Sequence, residues 1–359
     1  MDKSYLARIA SRSAFYYRDF KIKKRNGDER RLAQPSPELK TLQYWVLNNV
    51  LNKIPVSEAA CAYKKGDSIK KHAQLHSKSR FIFHADICDF FPSIHSSHLN
   101  DILRTHKNVF DDLDLDLDSS ILDIKRICFR KDALCIGAVS SPAISNIIMS
   151  SFDGALLDYC KAKNYIYSRY ADDIYISSNT YIDKSIVNFL RLELERKGFK
   201  INYSKTKFYS PKYRRKITGV FLTEKSQISV GTERRTKIKK MVYEKLIYNK
   251  GNPDEILGHL SFLKDIEPNT YNNLIIKYSK YCDEDIITAL SRKKQQGQRV
   301  FALCPCVHFK PFYRWSVSLT RLARPSTPHI PFALLRSQRR LEFAEESAVR
   351  GFPILVLEY

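Results

Sequence analysis

The sequence has no apolar run near the ~18 residues that a membrane-spanning helix needs, so no segment is expected to cross a bilayer. The N-terminal stretch MDKSYLARIASRSAFYYRDF lacks the apolar centre of a secretory signal. Cysteine is too thinly spread for a disulfide framework, with eight in 359 residues. A reduced, intracellular and cytoplasmic setting is the expectation. Acidic residues are in deficit: 38 Asp+Glu face 61 Lys+Arg, a formal charge of +23. That excess calls for a polyanionic partner, either nucleic acid or an acidic surface. The low hydrophobicity of a disordered chain is missing too. Hydrophobic residues make up 43% and aromatics 12%, enough for two or more packed lobes.

Composition breaks at about residue 291. Residues 291–359 hold 12 Lys+Arg, nine of them Arg, against four Glu, and take six of the 14 Pro. They contain no Asn and no Asp and show no sustained period of two or 3.6 residues. The stretch reads as an Arg/Pro-rich extension of unknown role. Before it, Leu39, Leu42, Trp45, Val46, Leu47 and Val50 predict an amphipathic helix from Pro37 to Leu51. Phe81 to Ile87 is apolar enough for a buried strand, and two β-rich arms flank Ala171-Asp172-Asp173 within 164–178. Three helical stretches are expected after Gly231. The first, Thr232 to about Tyr248, sets Ile238, Met241, Val242 and Leu246 on one face. Arg234, Arg235, Lys237, Lys239, Lys240 and Lys245 cover much of the rest.

Three acidic positions carry the chemistry. Asp172 and Asp173 suit a tight turn as such. The arms around them are so apolar, however, that the pair must sit beside a buried sheet, where two carboxylates persist best with a cation. Asp86 ends another apolar strand and is followed by Asp89, Phe90 and Phe91. On adjacent strands, Asp86 and Asp172 would present hard oxygen ligands to Mg²⁺, and a pair of such ions drives nucleotidyl transfer.

These blocks resemble a reverse transcriptase. Tyr170-Ala171-Asp172-Asp173 matches that family's YxDD box, and Asp86 its first catalytic aspartate. Gly137-Ala138-Val139-Ser140-Ser141-Pro142, with Ser145-Asn146, resembles the segment beneath primer–template and incoming nucleotide. Lys24, Gly27, Arg30, Leu32 and Pro35 resemble the fingers hairpin; Gly198, Asn202, Lys205 and Thr206 resemble the loop after the YxDD hairpin. The resemblance implies an α+β right-hand polymerase with an antiparallel palm sheet backed by helices. Fingers are expected in 1–85, the palm with an inserted helical segment in 86–225, and a helical RNA-binding thumb in 226–290. It implies two Mg²⁺ ions on Asp86, Asp172 and Asp173. Nucleotide contacts are expected from Lys24, Arg30, Asp89, Phe90, Phe91, Gly137 and Ala138, with Phe91 against the sugar where a 2′-OH would clash. Ile136 stands where many family members have Gln, so that side-chain hydrogen bond is absent.

Gln34-Pro35-Ser36-Pro37-Glu38-Leu39-Lys40, Asp89-Phe90-Phe91-Pro92-Ser93-Ile94 and Ile217-Thr218-Gly219 are similar to bacterial retron enzymes. The retron NAxxH element reads His72-Ala73-Gln74-Leu75-His76 here, with His in place of Asn. The retron type implies a cognate noncoding RNA and an RNA–DNA hybrid as partners, dNTPs as substrates, and an effector protein encoded nearby. It also implies priming from an internal guanosine 2′-OH, to give branched RNA-linked DNA in anti-phage defence. RNA contacts are expected from His72, His76, Thr218, Gly219, Arg234, Arg235, Lys237, Lys239 and Lys240. The competing readings are a non-retron bacterial reverse transcriptase, group II intron-like or another defence polymerase, and a catalytically idle RNA-binding scaffold. Asp111 to Asp118 lacks the Gly and closing Glu of a calcium loop and reads as acidic surface. Cys304-Pro305-Cys306 has no second Cys pair for zinc.

Overall fold

The computed structural model describes residues 3–23, 27–282 and 285–291. Helix α1 (Lys3–Ser11) leads into an antiparallel hairpin of β1 (Tyr17–Lys23) and β2 (Glu29–Pro35). Ser36 accepts the Leu39 N–H at 3.4 Å and Pro37 occupies the first turn, so α2 (Pro37–Asn49) starts where the sequence predicts. It ends two residues before Leu51, where Val50 still donates to Val46 O and Leu51–Lys53 then tightens into a 3₁₀ turn.

Helix α3 (Ile69–Leu75), capped by Ser68, precedes β3 (Phe81–Ile87). Short helices α4 (Asn100–Thr105) and α5 (Asn108–Asp111) then lead to α6 (Leu117–Cys128). The aspartates of the 111–118 run are exposed, and Asp116 caps α6 by accepting the Ser119 N–H at 2.9 Å. A long helix, α7 (Ser141–Ala162), is followed by β4 (Ile166–Tyr170), β5 (Asp173–Ser178), α8 (Ser185–Glu195) and β6 (Ile201–Tyr209). The expected hairpin is present, with Ala171-Asp172 joining β4 to β5.

These strands form an antiparallel sheet in the order β4-β5-β3-β6. Strand alternation divides its faces. Phe83, Ala85, Ile87, Ile174, Ile176 and Tyr167 share a core with Ile144, Ile148, Phe152 and Leu156 of α7. The opposite face carries polar rows: Tyr170, Asp173, Asp86 and Asn202 in one, and Ser168, Tyr175, His84 and Lys207 in the next.

A second antiparallel unit joins β7 (Arg215–Ile217), β8 (Val220–Leu222) and β9 (Ile228–Ser229). Helices α9 (Thr232–Tyr248), α10 (Pro253–Ile266) and α11 (Pro268–Ser279) follow, matching the three stretches expected after Gly231. Ile217, Val220, Ile238, Val242, Leu260 and Leu274 form a core that also takes in Ala73, Ile82 and Tyr175. Lys245, expected on the basic face of α9, is buried. Among the described residues no helix is long and apolar enough to cross a membrane. Met1–Leu290 forms one compact unit, and the Arg/Pro-rich stretch after 291 lies outside the described residues.

Candidate active site

Asp86 on β3 stands directly opposite Asp173 on β5, so the two carboxylates share a face. Asp172, in the two-residue turn, is tied to the end of β3 by the Ile87 N–H, which donates to its carbonyl at 3.2 Å. Asp86 and Asp173 are buried, at 4% and 8% exposure. Between His84 and Asp86 the pairing of β3 with β6 jumps from Lys207 to Asn202. Such a bulge re-aims side chains. Lys205, inside it, donates to Asp86 Oδ1 at 2.8 Å, and Asn202 Nδ2 donates to Oδ2 at 3.0 Å. His84, two residues before Asp86 on the same face, lies 2.7 Å from Asp173 Oδ1 and stacks on Tyr175.

Burial, reinforced by the charges of Asp173 and Asp86, pushes the Asp172 carboxyl from its ordinary 3.8 up to about 7. Burial works against the Lys205 ammonium, but its hydrogen bond to Asp86 and the three carboxylate charges outweigh that and raise its pKa. Three carboxylates with one ammonium leave the site short of positive charge. The donors are all hard oxygens, which suit a divalent cation, and Lys205 already lodges a cation against Asp86. Among the described residues no three His, Cys, Asp or Glu side chains converge as a ready-made cage. Asp86 is turned to Lys205 and Asn202, and Asp173 to His84, so metal would compete with these partners.

The segment expected beneath the nucleotide is fixed by β2. Ala33 N–H donates to Ile136 O at 2.9 Å. A Cβ on Gly137 (φ +113°) would lie 2.9 Å from the Ala33 carbonyl oxygen, so this close approach requires glycine. Ala138 is buried. Gln43, a residue the sequence reading missed, is fully buried on α2. Its Oε1 accepts the Val139 N–H at 3.2 Å, while Nε2 donates to Ile127 O at 3.0 Å and Tyr17 Oη at 2.8 Å. A polar residue between Leu39 and Val46 on the apolar helix face was the available signal.

Asp89 is exposed with φ +41°, and Phe91 is half-buried. Phe90 corrects its expected nucleotide contact: it is 3% exposed, part of the core, and packs edge-on against Phe91. Arg30 is exposed on β2, opposite Ile22, and Lys24 lies outside the described residues.

The expected RNA contacts of His72 and His76 are also corrected. They are 1% and 0% exposed, and the space between α3 and the sheet closes over both rings. Their Nε2 atoms meet Ser168 Oγ at 2.7 and 2.6 Å, and His76 Nδ1 meets Ser177 Oγ at 2.7 Å. Thr218 is corrected likewise. It is 2% exposed, sits 3.2 Å from His72 Nδ1, and donates its N–H to Tyr175 Oη at 3.2 Å. Thr218 and the half-buried Gly219 have φ of +42° and +85°, as the tight turn from β7 to β8 demands.

On α9, Lys239 is exposed, while the other basic residues are engaged. Arg234 stacks on Phe262 at 4.3 Å, and Arg235 reaches Glu267 at 3.6 Å. Lys237 pairs with Glu255 at 3.5 Å and Lys240 with Glu244 at 3.8 Å.

The family profile described as reverse transcriptase (RNA-dependent DNA polymerase) matches residues 22–228. The chain is 33% identical over 273 residues to the retron Ec86 reverse transcriptase of Escherichia coli, covering 74% of this chain and 81% of that protein. It is 31% identical over 308 residues to the retron Ec83 reverse transcriptase of Escherichia coli, covering 80% and 94%. It is 33% identical over 270 residues to the retron Ec73 enzyme of the same species, covering 72% and 85%. The acidic row, the glycine platform and the xTG turn thus stand in a chain that belongs to the reverse transcriptases, RNA-directed DNA polymerases with a right-hand α+β fold, and among them to the bacterial retron type.

Proposed function

We propose that this polymerase copies part of a cognate structured noncoding RNA, starting from the 2′-OH of an internal guanosine and leaving branched RNA-linked DNA. The observation that carries the polymerase step is the register of Asp86 against Asp173 with Asp172 in the adjoining turn; the cognate RNA and the branched start rest on the retron membership. Asp86, Asp172 and Asp173 are the residues that would hold two Mg²⁺ ions. Those ions, when bound, supply Lewis acidity to the attacking hydroxyl and the leaving phosphate oxygens.

The chain's own residues do the rest. Arg30 and Lys24 neutralise the triphosphate, and Gly137 lets the segment beneath the nucleotide pack closely on β2. Phe91 presses on the sugar, with Phe90 as its buried support. Lys205 screens Asp86 until substrate charge arrives. The β1–β2 hairpin then acts as fingers, the four-stranded sheet as palm, and α9 to α11 as an RNA-gripping thumb that presents the exposed Lys239. The same reading includes a defence role beside an effector protein encoded nearby.

The test incubates purified protein with the noncoding RNA encoded beside its gene, Mg²⁺ and labelled dNTPs. Labelled product that stays RNA-linked after heating, and shifts on debranching, is expected. Linear DNA with free primer ends would overturn the branched-priming reading. No incorporation at all would overturn the polymerase assignment of these aspartates.

A further inference from the structure

Arg169 heads the fully buried side chains by size and has no direct part in the chemistry above. Its Nε and Nη2 donate to both carboxylate oxygens of Asp153, at 2.8 and 2.7 Å, and neither side chain has any exposure. Tyr167 Oη donates to the same carboxylate at 2.6 Å. Burying an ion pair is a poor route to stability, since apolar residues of similar volume often serve as well. The third nitrogen points to another role. Nη1 donates to the Ala171 carbonyl at 3.0 Å and to Asn146 Oδ1 at 3.3 Å.

Ala171 is the residue between Tyr170 and Asp172, and its φ is +56°. L-residues with a Cβ avoid this left-handed region, so the turn needs an outside hold. Asn146 and Asp153 both lie on α7, the helix that continues from the Gly137 segment. The Arg169 backbone adds a further tie, donating to Ala59 O and accepting from the Cys61 N–H, both at 2.8 Å. One guanidinium therefore links the acidic turn to the helix behind the nucleotide side.

We propose that Arg169, held by Asp153, is a positioning residue that clamps the Ala171 carbonyl and so aims Asp172 relative to the nucleotide platform. This rests on the reading of Asp172 as catalytic. Removing the clamp lets the turn relax by about 1 Å, enough to cost ~10²-fold in the chemical step.

The test uses the full chain with its noncoding RNA and compares four variants. Arg169→Met with Asp153→Leu and Tyr167→Phe replaces the ionic cluster with apolar groups and leaves no phenol unpaired. The expected result is a ~10²-fold fall in kcat, with dNTP KM, RNA affinity and melting temperature little changed. Adding Ala171→Gly, which accepts positive φ without a clamp, should restore at least ~10-fold of the rate. Wild-type kcat in the apolar variant, joint loss of kcat and RNA affinity, or no recovery with glycine would each overturn the proposal. Should the apolar variant fail to fold, Arg169→Lys decides. It keeps the charge but not the second arm, so kcat must fall with KM unchanged, and an unchanged kcat overturns the clamp. Asp172→Asn separates the two readings: if that variant still incorporates dNTPs, the catalytic assignment itself is what fails.

Discussion

Asp86 and Asp173 face one another across antiparallel strands, yet each is engaged by a different neighbour, Lys205 at 2.8 Å and His84 at 2.7 Å. Among the described residues no cation is paired with Asp172, and its carboxyl bears first its own burial and then the repulsion of the other two, which Lys205 only partly offsets. The cost of concentrating negative charge here falls on the turn.

Asp172→Asn is therefore expected to remove activity while raising stability. An acid whose folded pKa is raised binds more protons folded than unfolded between 3.8 and about 7. Its contribution is complete below that window and drains away as pH climbs through it. At pH 7.5 in chelator the neutral amide should raise the melting temperature by a few degrees, at about 2–4 °C per kcal/mol. Incorporation should fall at least ~10³-fold with RNA affinity retained. An unchanged melting temperature would contradict the account of a buried carboxyl repelled by its neighbours.

The buried histidines set an acid limit with the opposite sign. Burial drives His72 from 6.5 down to about 3, and His76 well below its usual value by burial and then by His72. Their neutral forms stabilise the fold fully above 6.5. As pH falls below that, the unfolded chain takes up protons that the folded one refuses. Each histidine should cost about 1.4 kcal/mol per pH unit there. His72→Asn, which restores the residue of the retron NAxxH pattern, should keep the fold and lower the acid slope of urea midpoints by that amount. A slope indifferent to the substitution would count against this pair as the origin.

What the sequence revealed and what it hid follow from locality. The helix at Pro37, the hairpin around Asp172 and the three helices after Gly231 all announce themselves through nearby periodicity and capping. The engagement of Lys205 and Asn202 with Asp86 depends on a bulge some 116 residues away in sequence, which no local pattern encodes. His72 and His76 misled because a polar pair on a short helix reads as surface. Their partners, Ser168, Ser177 and Thr218, lie on other strands and turns. Arg169 hid beside the YxDD box, where a charged residue in an apolar arm was itself the clue.

Gly137→Ala tests the platform. The new Cβ would meet the Ala33 carbonyl oxygen at 2.9 Å in a backbone conformation that alanine avoids. The segment must move off β2, so dNTP KM should rise about tenfold while RNA affinity stays unchanged. Equal effects on both would point to general loosening instead.

Phe91 is half-buried against Phe90, which fixes its ring without hiding it. Phe91→Ala should open the sugar side and raise the rNTP/dNTP ratio of kcat/KM by on the order of 10²-fold, since the ring's exclusion of a 2′-OH is steric. Incorporation of dNTPs should fall only modestly. A ratio left near wild type would mean the ring serves the core alone.

The last expectation separates grip from scaffold on α9. Lys239 is exposed, whereas Arg235 is drawn toward Glu267 at 3.6 Å and Ser229 at 3.3 Å. If Lys239 neutralises an RNA phosphate, Lys239→Ala should weaken binding across RNAs and lower the slope of log K against log salt by about 1. Arg235→Ala should leave that slope nearly intact and instead lower the melting temperature. It frees Glu267, which also accepts from Ser229 and the Val230 N–H, both at 2.7 Å, and ties β9 to the start of α11. A large slope change at Arg235 with none at Lys239 would reverse the assignment and place RNA at the β9–α9 junction.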